Sequence, residues 1–367
     1  MKNIKILIGA GGTGGHLFPA VAVMERIKEL KPDTEFFFTG RADKIEGNLI
    51  PSMGLNFFPI DVVGFSGLSF NSLALPFKIF NAKRKLSKLI KKESINAVIC
   101  TGAYISYAPG LAATSNGIPL FLMESNVNPG KTISMLSTSA DLIFTSFPNT
   151  VNFFNPKIQK KIVYSGNPLR KFFDKEITKE EAINFYKINP NNKTLLIFGG
   201  SLGARSINNT IEDALDQLVG LGLNIIWQTG KNYFYKGKEY DNLVVTQFIH
   251  DMNIAYSAAD LVISRSGATT VAELANLGKP SILVPLSSAS NNEQYMNAKI
   301  FADKGASLLI EDSNLKLKLF DTIKKLIFDE EKLSNFKDSA KQFALPNAAD
   351  IVAQNIINYL DSNGKEG

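Results

Sequence analysis

The 367-residue sequence holds one cysteine, Cys100, and two histidines, His16 and His250. A lone cysteine excludes an internal disulfide and a thiolate metal cluster; within Ala97-Val-Ile-Cys100 it reads as a buried strand residue. No apolar run approaches the ~18 residues of a membrane-crossing helix. The opening Met1-Lys-Asn-Ile-Lys-Ile-Leu-Ile-Gly9 is too short, and broken by Lys5, for a signal peptide, so it is expected to be the first strand of a cytoplasmic protein. Neither sign of charge dominates. The net charge of +6 permits an anionic ligand or surface and does not by itself imply nucleic acid.

What is present is a repeated strand, loop and helix pattern, and length enough for two domains. Ile4 to Ile8 reads as a strand, followed by Gly9-Ala-Gly-Gly-Thr-Gly-Gly-His16 and a helix from about Pro19 to Leu30. Glu35–Thr39, Ile95–Cys100 and Pro119–Met123 continue the strands; Thr101-Gly-Ala-Tyr-Ile-Ser106 and Glu124-Ser-Asn126 are loops at the same sheet edge. Near 162–170 the pattern resets through Gly166 and Pro168, read as an inter-domain connection. Lys193–Phe198 then enters Gly199-Gly-Ser-Leu-Gly-Ala-Arg205 and a helix from Ser206, as the first glycine loop opens the first half. Alternation throughout predicts two similar α/β domains with parallel sheets.

Ser264-Arg-Ser-Gly-Ala-Thr-Thr-Val-Ala-Glu273 reads as strand end, tight turn and helix start. The N–H groups and dipole of that helix make a phosphate site, and Glu273, one turn in, suits ribose hydroxyls. Thr270-Val-Ala-Glu273 equally fits a capping box. The first loop matches a dinucleotide fingerprint, but Gly40-Arg41 stands where an oxidoreductase would carry an acid for the ribose. His16, closing a glycine loop, reads either as a packing residue or as a general base. His250 receives no role.

Residues 73–93 predict a helix with one apolar face, Ile79, Ala82, Leu86, Leu89 and Ile90. The opposite stripe, Phe77, Phe80, Arg84, Lys88 and Lys91, reads either as an interfacial face dipping among anionic headgroups or as a solvated basic surface.

Taken together, Gly11-Gly-Thr-Gly-Gly-His16, Ile79-Phe-Asn-Ala82, Gly166-Asn-Pro-Leu-Arg170, Gly199-Gly-Ser-Leu-Gly-Ala204, Arg265-Ser-Gly-Ala268 with Glu273, and Asn292-Glu-Gln294 resemble the MurG family over nearly the full length. These are bacterial N-acetylglucosaminyltransferases of peptidoglycan synthesis that act on lipid-linked muramyl-pentapeptide. The sequence departs from the family at Met123, Ser125, Ala103 and Leu202.

The resemblance implies an α/β GT-B fold of two Rossmann-like domains: 1–166 for the acceptor and membrane, 167–345 for the UDP-sugar, and 346–367 as a helix returning to the first. It implies UDP-N-acetylglucosamine and lipid I as partners, an anionic membrane surface met through helix 73–92, and other cell-wall synthesis proteins. No cofactor and no nucleic acid are expected, and the location is the cytoplasmic face of the cell membrane. His16 would activate the acceptor, with Glu124 as the rival base, and Thr13, Gly14 and Gly15 would line the crevice. Asn126 and Gln294 would read sugar hydroxyls, Ile249 the uracil and Glu273 the ribose. Ser201 and the helix start Ala268, Thr269, Thr270, Val271 and Ala272 would take the diphosphate, with Arg170 on the nucleotide.

The expected chemistry is inverting displacement by the muramyl 4-hydroxyl. No Asp-x-Asp pair occurs, so no metal is expected at the diphosphate. The rivals are a glycosyltransferase for another lipid acceptor, a dinucleotide oxidoreductase, and a non-catalytic sensor or scaffold.

Overall fold

A computed structural model describes residues 3–64, 75–200 and 202–363. The chain forms two compact units, Met1–Arg170 with Leu345–Gly367, and Lys171–Ala344.

In the first unit seven strands form one parallel sheet: β1 (Lys5–Gly9), β2 (Glu35–Gly40), β3 (Asn56–Pro59), β4 (Ala97–Cys100), β5 (Leu120–Glu124), β6 (Leu142–Thr145) and β7 (Ile162–Tyr164). Their order is β3-β2-β1-β4-β5-β6-β7, so the winding reverses between β1 and β4. Successive side chains of a strand point to opposite faces. Ile6, Ile8, Phe36, Phe38, Phe121 and Met123 therefore pack beneath helices Gly14–Leu30 and Ala348–Asn363. Leu7, Phe37, Val98, Leu120 and Leu122 pack beneath Leu75–Glu93, Tyr107–Asn116 and Lys131–Leu136. Both faces are covered, which is why the strands read as continuous apolar runs. Each fully buried Leu, Ile or Phe contributes about 1.5–3 kcal/mol of transfer free energy.

The last helix is tied to the first. Arg26 pairs with Asp350 and Lys31 with Asp361, while the Tyr359 hydroxyl donates to Asp141 at 2.6 Å and its ring stands edge-on to Phe121.

In the second unit β8 (Thr194–Phe198), β9 (Asn224–Gln228), β10 (Leu243–Thr246), β11 (Leu261–Ser264), β12 (Ser281–Leu283) and β13 (Leu308–Leu309) form a second parallel sheet, ordered β10-β9-β8-β11-β12-β13. Its winding reverses between β8 and β11. Trp227, the single tryptophan, is fully buried and satisfies its indole N–H on Asn208 at 3.1 Å.

Several elements differ from expectation. The first helix begins at Gly14, because the Thr13 carbonyl already accepts from the amides of His16 and Leu17; Pro19 lies inside it. Residues 162–164 form the edge strand β7 of the first sheet rather than a plain connection. Strands β3 and β13 carry weak signals, one with a half-exposed Asn-Phe-Phe-Pro and the other only two residues long. The capping-box reading of Thr270 fails: helix Ala268–Leu277 is capped by Gly267, so Thr270 sits within its first turn.

Candidate active site

In open parallel sheets ligands bind beyond the carboxyl ends of the strands, where the winding reverses. In the first unit that point lies between the loops leaving β1 and β4, and His16 spans it. Its Nδ1–H donates to the Thr101 carbonyl at 2.8 Å. A carbonyl only accepts, so this bond fixes the tautomer and leaves the Nε2 lone pair for a proton. Burial lowers the imidazole pKa, with the Thr101 carbonyl opposing. Gly102, at φ +89°, lets the second loop pass close to the ring: a Cβ there would lie 3.5 Å from His16 Cε1. Thr13 and Gly15 are exposed and Gly14 half-buried.

The third loop of this edge is organised by Glu124. Its two carboxylate oxygens accept the amides of Asn126 and Gly130, each at 2.8 Å, and it is buried. Asn126 is further fixed by the Thr150 hydroxyl on its carbonyl at 3.2 Å. A carboxylate held by two backbone N–H groups is stabilised as an anion that shapes a loop, which weighs against Glu124 as the proton acceptor.

In the second unit the reversal brings together the 199–204 loop after β8 and the 265–267 turn after β11. Gly200 has φ +85°, and a Cβ there, or on Gly267, would meet no atom within 4 Å among the described residues. Backbone at these two glycines therefore faces open space beside two helix N-termini, Arg205–Gly220 and Ala268–Leu277, neither capped by a side chain. Such ends favour an anion.

Gln228, buried at the end of β9, braces this edge. Its amide donates to the Gly200 carbonyl at 3.0 Å and its Oε1 accepts the Ile249 amide at 2.8 Å. Glu273 is half-buried and accepts the hydroxyl of fully buried Tyr256 at 2.8 Å. Rings of Phe198 and Phe173 hold Tyr256 at centroid distances of 5.9 and 6.2 Å. Gln294 accepts the Leu286 amide through Oε1 and anchors the turn by taking the Ser266 hydroxyl on its carbonyl.

Of the residues singled out from sequence, His16, Thr13, Gly14, Gly15 and Asn126 gather at the first edge. Gln294, Glu273 and the backbone of Ala268, Thr269 and Thr270 gather at the second. Val271 turns its side chain into the core, and Ala272 is half-buried one position before Glu273. Ile249 is buried and its amide is taken by Gln228. Arg170 lies over the Phe18 ring of the first helix, 4.0 Å from the centroid. Ser201 lies outside the described residues. Arg265 is not aimed outward; it binds Asp312, the Ser206 hydroxyl and the carbonyls of Val284 and Pro285. Reading the sequence missed Gln228, Tyr256, Asp312 and Glu46, because each acts through contacts remote in sequence.

Two parallel α/β units with loops of this kind at both reversal points are the plan of the GT-B glycosyltransferases. The N-terminal domain model of glycosyltransferase family 28 matches residues 6–145 and its C-terminal domain model residues 194–354. The chain belongs to glycosyltransferase family 28. It is 35% identical to the UDP-N-acetylglucosamine--N-acetylmuramyl-(pentapeptide) pyrophosphoryl-undecaprenol N-acetylglucosamine transferase of Flavobacterium psychrophilum, over 99% of both chains. The enzyme of that name from Phocaeicola vulgatus is also 35% identical, over 100% of this chain and 99% of its own. Among solved structures, MurG of Acinetobacter baumannii superposes with a TM-score of 0.74 at 30% identity, covering 97% of this chain and 99% of that one. A UDP-N-acetylglucosamine 2-epimerase, at 15% identity and TM-score 0.67, shares the fold alone.

Proposed function

We propose that this protein transfers N-acetylglucosamine from UDP-N-acetylglucosamine to the 4-hydroxyl of undecaprenyl-pyrophosphoryl-N-acetylmuramyl-pentapeptide, inverting the anomeric carbon. Full-length likeness to the Flavobacterium transferase supports the substrate pair. The observation that carries the chemistry is the His16–Thr101 bond, which presents a neutral imidazole with Nε2 available. Nε2 takes the proton of the acceptor hydroxyl as its oxygen attacks C1 of the donor sugar and the bond to UDP breaks. The departing diphosphate gains charge, and the N–H groups at the 199–204 loop and the start of helix Ala268–Leu277 receive it. Glu273 holds the ribose, Ile249 the uracil and Arg170 the nucleotide; Gln294 and Asn126 read the sugar.

The test is transfer of labelled sugar from UDP-N-acetylglucosamine to the lipid-linked muramyl-pentapeptide, with UDP-glucose and a diacylglycerol as control donor and acceptor. Product from the first pair alone is expected; donor binding without transfer would move the function to another acceptor or to sensing. His16→Ala should lower turnover by about 10²–10⁴-fold with donor affinity retained. Full turnover in that variant would refute the base assignment.

The enzyme works at the cytoplasmic face of the membrane. Among the described residues no helix is long and apolar enough to cross a membrane. Support for a peripheral contact comes from helix Leu75–Glu93, where Phe77 and Phe80 are 69% and 59% exposed beside exposed Arg84, Lys88 and Lys91. Replacing both phenylalanines by Ser should weaken binding to anionic vesicles and leave donor affinity unchanged. Unchanged vesicle binding would refute the contact.

A further inference from the structure

The second loop at the edge of the first unit, residues 101–106, is tied down at both ends. The Thr101 amide at 3.3 Å and the Ser106 hydroxyl at 2.7 Å both donate to the Gly9 carbonyl. His16 donates to the Thr101 carbonyl, and Ile105 is fully buried. The middle is held more loosely: Ala103 is half-buried, and its carbonyl accepts the Ser106 amide at a long 3.3 Å.

That middle carries a backbone cost. Ala103 has φ +52° and ψ 172°. Lys187, Asn291 and Asn292 also have positive φ, but ψ values of 38°, 23° and 27° put them in or near the left-handed helical region that L residues visit. Ala103 lies outside it, where glycine alone is unstrained. Such a residue persists only where its surroundings over-determine it, as the pinned ends do here. A second cost lies at the start of the loop. The hydroxyl of buried Thr101 meets no hydrogen-bond partner among the described residues.

One peptide can discharge the strain. Turning the plane between Gly102 and Ala103 changes ψ of the first and φ of the second in opposite senses, and leaves both ends in place. Gly102 tolerates the new angle because it has no Cβ. With ψ kept at 172°, a negative φ returns Ala103 to the broad β region. The same turn exchanges a carbonyl for an N–H on the face of the loop.

We propose that the 101–106 loop is a strained element released by the acceptor. Seating of the lipid-linked muramyl-pentapeptide turns the 102–103 peptide, and the strain held at Ala103 is converted into acceptor affinity. Ala103 is thus a positioning residue that acts through the backbone of the loop bonded to His16. The identity of the ligand rests on the transferase reading.

Ala103→Gly tests this, because glycine relaxes the resting loop and so removes what binding would release. Thermal unfolding reads the strain. At an ordinary φ, Ala→Gly lowers stability through the unfolded chain. Here the midpoint should stay at or above that of wild type, and a fall would overturn the strain. Calorimetry with the lipid-linked muramyl-pentapeptide in detergent micelles, without donor, reads the release. Acceptor affinity should be about tenfold weaker in Ala103→Gly, the equivalent of about 1.4 kcal/mol. In turnover the KM for this acceptor should rise by the same factor, while kcat and the KM for UDP-N-acetylglucosamine stay within error. Acceptor binding equal to or tighter than wild type would overturn the release. Wild-type protein that binds the acceptor without transferring sugar would sink the transferase reading and leave the two affinities to decide the release. Wild-type protein that binds no acceptor would sink both.

Discussion

The two units share one strand order and place a glycine loop at the same topological point, yet they organise those loops with opposite chemistry. In the first unit carboxylates do it. Glu46 takes the amides of Gly12 and Arg41, and Glu124 those of Asn126 and Gly130. In the second unit a neutral amide does it: Gln228 gives its N–H to Gly200 and its oxygen to Ile249. The physical reason follows from what each loop would meet. A loop that receives a diphosphate cannot have a fixed negative charge beneath it, because like charges about 4 Å apart cost between about 1 and 4 kcal/mol even with effective screening. In the first unit the carboxylates are buried and commit both oxygens to backbone N–H groups, and a buried carboxylate is a stronger organiser of such groups than an amide. One topology thus carries two kinds of loop support, and the difference lies in side chains at the ends of β5 and β9 and at the start of the helix after β2.

The sharpest way to break the comparison is to put the first unit's chemistry into the second. Gln228→Glu keeps the acceptor for Ile249 but sets a carboxylate oxygen against the Gly200 carbonyl, beneath the loop. Affinity for UDP-N-acetylglucosamine, read by calorimetry, should fall at least about tenfold, since each 1.4 kcal/mol is tenfold. Unchanged affinity would mean that the charge of the brace is irrelevant and that the two loops differ only in shape.

A smaller effect is expected one shell further out. Tyr256→Phe removes the hydrogen bond to Glu273 and keeps the ring packing on Phe198 and Phe173. A hydrogen bond to a charged group contributes about 1.5–3 kcal/mol, but only part of that reaches the ligand. The KM for UDP-N-acetylglucosamine should rise about three- to tenfold with kcat nearly constant, and the preference for UDP over 2′-deoxy-UDP should shrink. A drop in kcat with constant KM would place the effect away from the ribose.

How much of this was legible in the chain depended on range. Strand and helix alternation was local and apolar, so both sheets were readable; β3 and β13 were lost because one is a half-exposed edge and the other two residues long. His16 and Glu273 stood out because a glycine turn and a helix start follow them or lead to them in sequence. The partners that orient them did not. Thr101 lies 85 residues from His16, Tyr256 17 from Glu273, and Glu46 34 from Gly12. No periodicity links such pairs; they meet because parallel winding returns every strand end to one edge. Arg265 shows the reverse case. It stands next to the turn in sequence, and the fold spends its charge on Asp312, Ser206 and two carbonyls.

The mildest probe is pH. Burial lowers the His16 pKa below 6.5, and the Thr101 carbonyl opposes this without reversing it. The imidazole is therefore neutral, and competent as a base, throughout the neutral range. As pH falls below 6.5 and through the folded-state value, the ring takes a proton, and two losses coincide. The rate falls because Nε2 no longer accepts. The first unit also loses stability, because the unfolded chain binds that proton at higher pH than the folded one. The acid limb of kcat/KM should thus lie below 6.5, and it should vanish in His16→Ala, whose residual rate has no imidazole to titrate. Binding of UDP-N-acetylglucosamine, whose diphosphate unlike that of UDP carries no proton in this window, should be the same in His16→Ala and wild type at each pH, since His16 belongs to the other edge. An acid limb that persists in His16→Ala would assign the proton to a different group, with Glu124 the first to test.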